Sequence, residues 1–342
     1  MRAAVRGGSG DIQIAQVPDA RVIEPTDAVV RIVLAAVCGT DLWAYRGQEE
    51  IPPGPRAGHE FLGLVEEVGR DVRALRPGAL VLAPFMWADG VCPACRDGLT
   101  TSCPDGGMWG GEHDGGQGEA VRVPFADATL VELPPAVDDE RLPAVLTLAD
   151  VMPTGLHAVN GTGAGPDTDV VVVGDGAVGL CAVLAARRAG ARQIMLLSRH
   201  HARALVGQDF GATEVLTGHG DQTRDRVLEL THGQGAQAVL ECVGTQDSID
   251  TALGLVRDGG AIALVGAPHG ALPGPEQIFM RNLTFTGGLT PARALIPDLL
   301  DEVVSGRLDP APVFDLAVDL DGVPAAYEAM AGRSAIKALV RI

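Results

Sequence analysis

The sequence predicts an α/β protein in which a doubly wound parallel sheet stands beside a mainly β domain. Three observations carry that prediction. The valine run 170–173, flanked by Asp169, leads straight into Gly174-Asp175-Gly176-Ala177-Val178-Gly179 and then into an alanine-rich stretch that ends at Gly190. From Asp150 onward, short β-branched runs alternate with helix-length segments; such alternation builds a parallel sheet, because each crossover helix covers a sheet face. Before Asp150, short Val, Ile and Leu runs sit between Gly- and Pro-rich turns, as in an irregular all-β domain.

In chain order, 29–37, 61–68 and 79–84 read as strands, with turn signals such as Arg76-Pro77-Gly78 between them. In the alternating part the strands fall at 170–173, 194–198, 238–242 and 261–266, and helices start at Ala177, His201, Gln222 and Gln246. After Gly288 the alternation ends, leaving a helix near 292–304 and an apolar closing segment at 335–342.

A chain of 342 residues suggests two domains, by the prior of about 150 residues each. With 46% hydrophobic and 20% charged residues it is able to bury a core. A formal charge of −18 argues against nucleic acid or an anionic membrane as partner, since both call for a basic face. There is no charged-then-apolar leader and no membrane-length apolar run, so a cytoplasmic location is expected. Three of the six cysteines cluster at 92–103, which in such a chain points to metal rather than to disulfides.

Glycines spaced as G-x-G-x-x-G after a strand and before a helix are the dinucleotide fingerprint. Gly174 permits the tight turn, Gly176 lets the backbone approach a pyrophosphate, and Gly179 lets helix pack on strand. Ala177 and Val178 begin the helix, whose free N–H groups and positive end favour phosphate. A ligand-free Gly-rich turn is the competing reading, and the flanking strand and helix argue against it. The next strand ends in Ser198-Arg199-His200-His201, with Arg203 one helical turn on. An acidic residue at that strand end selects NAD, whereas a nearby arginine accommodates the 2′-phosphate of NADP. Ser198, Arg199 and Arg203 therefore predict NADP; the alternative is NAD, with Arg199 a solvated loop charge.

Two sets of residues suit metals. Cys38, His59 with its neighbour Glu60, and Asp150 offer thiolate, imidazole and carboxylate, all accepted by zinc, and three protein ligands leave a position open. A His beside a Glu is more often a simple packed pair, so spacing alone proves little. Asp89, Cys92, Cys95 and Cys103 form a compact second set that suits a structural zinc; its alternative is a loop of reduced cysteines.

Together, Cys38-Gly39-Thr40-Asp41, Gly58-His59-Glu60, the 89–103 lobe, the 174–179 turn, Glu241-Cys242-Val243-Gly244 and Ile336-Lys337 resemble the zinc-dependent medium-chain alcohol dehydrogenase family of the medium-chain dehydrogenase/reductase superfamily. The resemblance covers essentially the whole chain. It implies a GroES-like catalytic domain formed by 1–152 and 290–342, with a Rossmann domain, 153–289, inserted between them. It implies Cys38, His59 and Asp150 as catalytic zinc ligands, Glu60 as a glutamate able to approach the metal, and Thr40 as the hydroxyl that meets the substrate oxygen. Asp41 would orient His59. Thr154 would lie beside the nicotinamide, Lys337 would reach the pyrophosphate, and Val243, Gly244 and Gly266 would line the cofactor site. The 89–103 lobe departs from the usual four cysteines by starting with Asp89. Where animal-type members carry a relay histidine, this chain has Trp43, which is assigned to the substrate pocket. Trp87 and Trp109 are further pocket candidates or packing residues.

The implied activity is hydride transfer between an alcohol or polyol, or the matching carbonyl compound, and a nicotinamide cofactor. A homodimer or homotetramer is implied as well. Competing readings are a zinc-free quinone or enone reductase on the same fold and a non-catalytic dinucleotide-binding protein. Neither has a need for the whole set Cys38, Thr40, His59 and Asp150.

Overall fold

The fold is taken from a computed structural model, which describes residues 1–49, 54–135, 137–218 and 220–342. Its contacts divide the chain into two compact units, Met1–Pro153 with Pro291–Ile342, and Thr154–Thr290.

In the second unit, every residue of the strand Asp169–Val173 is buried. That is where a run of valines belongs, since a strand inside a parallel sheet has both faces covered. Full burial of one such side chain is worth roughly 1.5–3 kcal/mol. The sheet is six-stranded and parallel throughout. Its order is Glu214–Leu216, Gln193–Leu197, Asp169–Val173, Ala236–Glu241, Val256–Leu264, Thr284–Gly287. Numbered along the chain this is 3-2-1-4-5-6, the dinucleotide-binding order, which reverses direction between the first and fourth strands. The loops after those two strands carry Gly174–Gly179 and Val243–Gly244. Helices Ala177–Arg188, His201–Phe210, Asp221–Leu230 and Gln246–Leu255 make the crossovers.

Several strand ends differ from expectation, most of them by one or two residues. The second strand stops at Leu197, so Ser198 belongs to the following loop. The fifth begins at Val256, before the expected 261, with a register jump between Ala236↔Val256 and Ala238↔Ala261. The excursion turns at Gly259, whose φ is 71°, a backbone state that suits glycine. The short strands Glu214–Leu216 and Thr284–Gly287 had too few apolar residues to stand out by pattern.

In the first unit, a seven-stranded sheet has Ala28–Ala36 near its centre, paired with Glu60–Val68, Ala120–Val123 and Lys337–Arg341. The closing segment of the chain thus returns to the N-terminal sheet, with Leu339 opposite Ala36. Ile32, Phe61, Val81, Val121 and Val340 pack together in its core. Among the described residues no single helix is long and apolar enough to cross a membrane.

Candidate functional site

The pairing of Ala36 with Glu60 brings one end of each central strand together. Cys38 lies two residues past the first strand end, and His59 immediately precedes the other. Asp150 follows the turn Thr147–Ala149, which is tied down by the Phe85 N–H donating to the Ala149 carbonyl at 2.9 Å. The potential ligand atoms of Cys38, His59, Glu60 and Asp150 lie within 4.8 Å of one another. Cys38 Sγ is 3.3 Å from Asp150 Oδ2, and His59 Nε2 is 3.5 Å from the same oxygen and from Thr40 Oγ1.

The imidazole has a definite orientation. Its Nδ1 faces Asp41 Oδ1 at 3.6 Å, leaving Nε2 for the cluster; a carboxylate behind the ring is how metal-binding histidines are commonly held. Asp41 is held in turn by the Cys38 N–H at 3.0 Å and by the Arg6 guanidinium at 3.2 Å. Arg6 also donates to the Gly110 carbonyl.

Lys337 joins this cluster through Glu60. It is 1% exposed, and its Nζ donates to Glu60 Oε1 at 2.6 Å and to the Val37 carbonyl at 3.2 Å. A lysine buried this deeply has to be paired, and Glu60 is the carboxylate within reach. Glu60 Oε2 is also buried and has no hydrogen-bond partner among the described residues.

The electrostatics of the cluster fit a cation. Burial, reinforced by the Asp150 charge, pushes the Cys38 thiol up. Burial also raises Glu60, and Lys337 offsets only part of this. Burial works against a charged His59, yet Asp41 and Cys38 raise it well above the ordinary range. Burial would raise Asp150 too, but His59 and Lys337 bring it down to about 2. Cys38, His59 and Glu60 are thus all shifted toward their protonated forms, as expected where several anionic donors share one buried pocket. A divalent cation would offset those shifts, and thiolate, imidazole and carboxylate are donors zinc accepts.

Phe85 was missed by pattern reading. Its ring lies edge-on to His59, with centroids 6.4 Å apart; only its place just past the strand at 79–84 hinted at this. Trp87 and Trp109 both lie in the hydrophobic core of the first unit. They are 7% and 1% exposed, with ring centroids 5.2 Å apart, and Trp109 also meets Phe61 at 5.0 Å. Trp43, on the helix Asp41–Tyr45, is half-buried.

The second metal set is also drawn together, with the potential ligand atoms of Asp89, Cys92, Cys95 and Cys103 within 4.8 Å of one another. Asp89 Oδ1 accepts from the N–H groups of Val91 and Cys92 at 2.8 and 3.0 Å, which hold its carboxyl well below the usual range. Cys95 is pushed up to about 12 by burial and by its hydrogen bond with the Cys92 thiol. Three sulfurs and a carboxylate are four donors that zinc accepts, with an aspartate where structural sites usually place a cysteine or histidine.

In the second unit, the helix Ala177–Arg188 has no side-chain cap at Gly176, so its first N–H groups stay available to an anion. A Cβ at Gly176 would meet nothing within 4 Å; the space above it is open, as a pyrophosphate cradle requires. A Cβ at Gly179 would come 1.9 Å from the Gly174 carbonyl oxygen. Gly179→Ala is therefore expected to destabilise the protein by about 1–3 kcal/mol through overpacking, read as a lower midpoint in denaturant; an unchanged midpoint contradicts the close helix–strand contact. Glu241 Oε1 accepts from the Val243 and Gly244 N–H groups, each at 2.8 Å, and so shapes the loop after the fourth strand. Gly266 stands in the loop after the fifth strand, its N–H donating to the Glu241 carbonyl. Thr154 is buried on the helix Val151–Thr162.

At the second strand end, a residue absent from the expected set takes the centre. Asp175, the variable position between the first two fingerprint glycines, accepts from Ser198 Oγ at 2.9 Å and from the Arg199 N–H at 3.3 Å. It also meets His200 Nδ1 at 2.9 Å and Arg203 at 3.3 Å. Arg199 is exposed.

Comparison with known proteins agrees with this architecture. A family model described as the alcohol dehydrogenase GroES-like domain matches residues 24–135, and one described as zinc-binding dehydrogenase matches 177–305. A probable zinc-binding alcohol dehydrogenase of Mycobacterium tuberculosis is 32% identical over 98% of this chain and 86% of its own length. Among solved structures, an alcohol dehydrogenase of Thermus sp. ATN1 is 33% identical, covers 100% of both chains and superposes with a TM-score of 0.94. A putative zinc-binding dehydrogenase of Sinorhizobium meliloti 1021, bound to NADP, is 26% identical with a TM-score of 0.84, over 100% of this chain and 99% of its own. With its Rossmann-ordered sheet, its GroES-like domain and this similarity along nearly its whole length, the chain belongs to the zinc-type alcohol dehydrogenases of the medium-chain dehydrogenase/reductase superfamily.

Proposed function

We propose that the protein is a zinc-dependent dehydrogenase that interconverts an alcohol or polyol and its carbonyl compound, with NADP as the nicotinamide cofactor. The observation that carries this reading is the convergence of Cys38, His59, Glu60 and Asp150 within 4.8 Å, with the Thr40 hydroxyl 3.5 Å from His59 Nε2. Cys38, His59 and Asp150 would hold the zinc, with Glu60 beside them. When bound, zinc supplies Lewis acidity toward an alcohol or carbonyl oxygen, and the nicotinamide supplies the hydride chemistry.

The chain's own residues do the rest. The Thr40 hydroxyl would hydrogen-bond the substrate oxygen and relay its proton onward rather than keep it. Asp41 keeps His59 Nε2 turned to the cluster. Trp43, half-buried and just after Thr40, gives the pocket an apolar wall. Gly174, Gly176, Ala177, Val178 and Gly179 receive the pyrophosphate, and Thr154, Val243, Gly244 and Gly266 receive the nicotinamide side. A zinc-free enone reductase would gain nothing from the buried donor set, which weighs against that alternative.

NADP is supported by the absence of an acid at Ser198, by the exposed Arg199 and by the NADP bound to the Sinorhizobium relative. A panel of alcohols, polyols, aldehydes and ketones, assayed with both cofactors, tests the reading. Loss of one charge-assisted contact costs about 1.5–3 kcal/mol, or roughly ten- to a hundredfold in affinity. Arg199→Ala is thus expected to raise the NADP KM by that factor and leave the NAD value nearly unchanged. Ser198→Asp should go further by adding repulsion. A wild-type preference for NAD, with a ratio that Arg199→Ala does not move, would refute the NADP assignment.

A further inference from the structure

We propose that Asp175, inside the glycine-rich turn, is a specificity-determining residue that opposes NADP and favours NAD, so that the protein accepts both cofactors. The inference rests on the cofactor site described above and adds to it a residue of opposite effect.

The second strand itself ends without an acid, in Ser198. The fold nevertheless supplies a carboxylate there from the first strand's loop, because Asp175 Oδ2 lies 2.9 Å from Ser198 Oγ. Asp175 is 14% exposed and Arg203 12%. The carboxylate has already engaged the Ser198 hydroxyl, the Arg199 backbone N–H, His200 Nδ1 and the Arg203 guanidinium. Burial tends to raise its pKa, but hydrogen bonds from His200 and Ser198 and the Arg203 charge bring it below the ordinary value, so it is ionised at neutral pH.

These four groups, donors suited to a 2′-phosphate, are therefore already engaged by an internal anion. Among the described residues the Arg199 side chain has no ion pair or hydrogen bond. A phosphate arriving at this strand end gains Arg199 but faces Asp175, and like charges at close range repel. A ribose 2′-hydroxyl meets no such repulsion and finds in Asp175 the acceptor that NAD-selecting proteins place at the strand end. Arg199 and Asp175 thus pull in opposite directions.

The test is direct binding of NADP and of NAD to the purified zinc-loaded protein, measured calorimetrically for wild type, Asp175→Asn, Asp175→Ser and Arg199→Ala. Asparagine keeps the shape and one acceptor oxygen but removes the charge; serine keeps a small acceptor and guards against a local effect of the amide. Both variants are expected to tighten NADP about tenfold or more and to weaken NAD severalfold, moving the Kd ratio in one direction. That size corresponds to one charge-assisted contact. If both variants change the two Kd values by a common factor, Asp175 is a loop anchor only and the proposal is overturned. The Arg199→Ala arm separates this from the NADP reading. If Arg199→Ala leaves NADP binding unmoved while the Asp175 variants shift the ratio, the role of Arg199 fails and that of Asp175 stands. Failure of the wild type to bind either cofactor overturns both.

Discussion

His59→Ala is expected to lower the zinc content from about two ions per chain to about one, to reduce turnover by well over a hundredfold, and to leave the fold in place. His59 is the only imidazole in its cluster, and both of its nitrogens are engaged, Nδ1 by Asp41 and Nε2 by Asp150 and Thr40. Removing it leaves one thiol and two carboxyl groups, a poorer set for zinc. Changing even an outer partner of a zinc ligand costs about ten- to a hundredfold, so loss of the ligand itself should cost more. The fold should survive because Asp41 keeps its bonds from Cys38 and Arg6. Metal analysis and thermal unfolding of the variant check the first and last points independently of the assay. A zinc-free His59→Ala protein with full activity would end the metal mechanism.

Lys337→Met should destabilise the protein by about 3–5 kcal/mol, the usual cost of leaving one member of a buried ion pair alone. Glu60 and Lys337 are 0% and 1% exposed, and their charged atoms are 2.6 Å apart. Burial would lower the Lys337 pKa, yet Glu60 and Cys38 raise it, so the ammonium is charged at neutral pH. Without it, Glu60 either keeps an uncompensated charge in the interior or takes up a proton, and each route costs folding free energy. The double variant Glu60→Gln with Lys337→Met removes both charges and should recover much of the loss. Denaturant unfolding of the wild type, both single variants and the double variant measures this. A single variant that loses less than about 1 kcal/mol would show that solvent or a rearranged neighbour takes over the pairing.

The parallel sheet was legible because its signals are local. A valine run, glycines spaced through a turn and an alanine-rich helix follow one another at 169–188, and each reports backbone geometry on its own. The short strands at Glu214–Leu216 and Thr284–Gly287 were not legible, since so few residues carry no period. The tryptophans show the same limit from another side. An indole in a loop-rich stretch looks alike whether it lines a pocket or fills a core, and the ring contacts of Trp109 with Phe61 and Trp87 come only from the fold.

By itself the sequence determined the α/β class, the dinucleotide turn and the donor types available to metal. The tertiary structure decided which groups meet. Cys38 and Asp150 are 112 positions apart and their side chains lie at 3.3 Å; Glu60 and Lys337 are 277 apart and form a buried pair; Asp175 reaches across 23 positions to Ser198. Local propensity depends on neighbours along the chain, whereas the charge a buried carboxylate carries depends on whatever folding brings within hydrogen-bond reach of it.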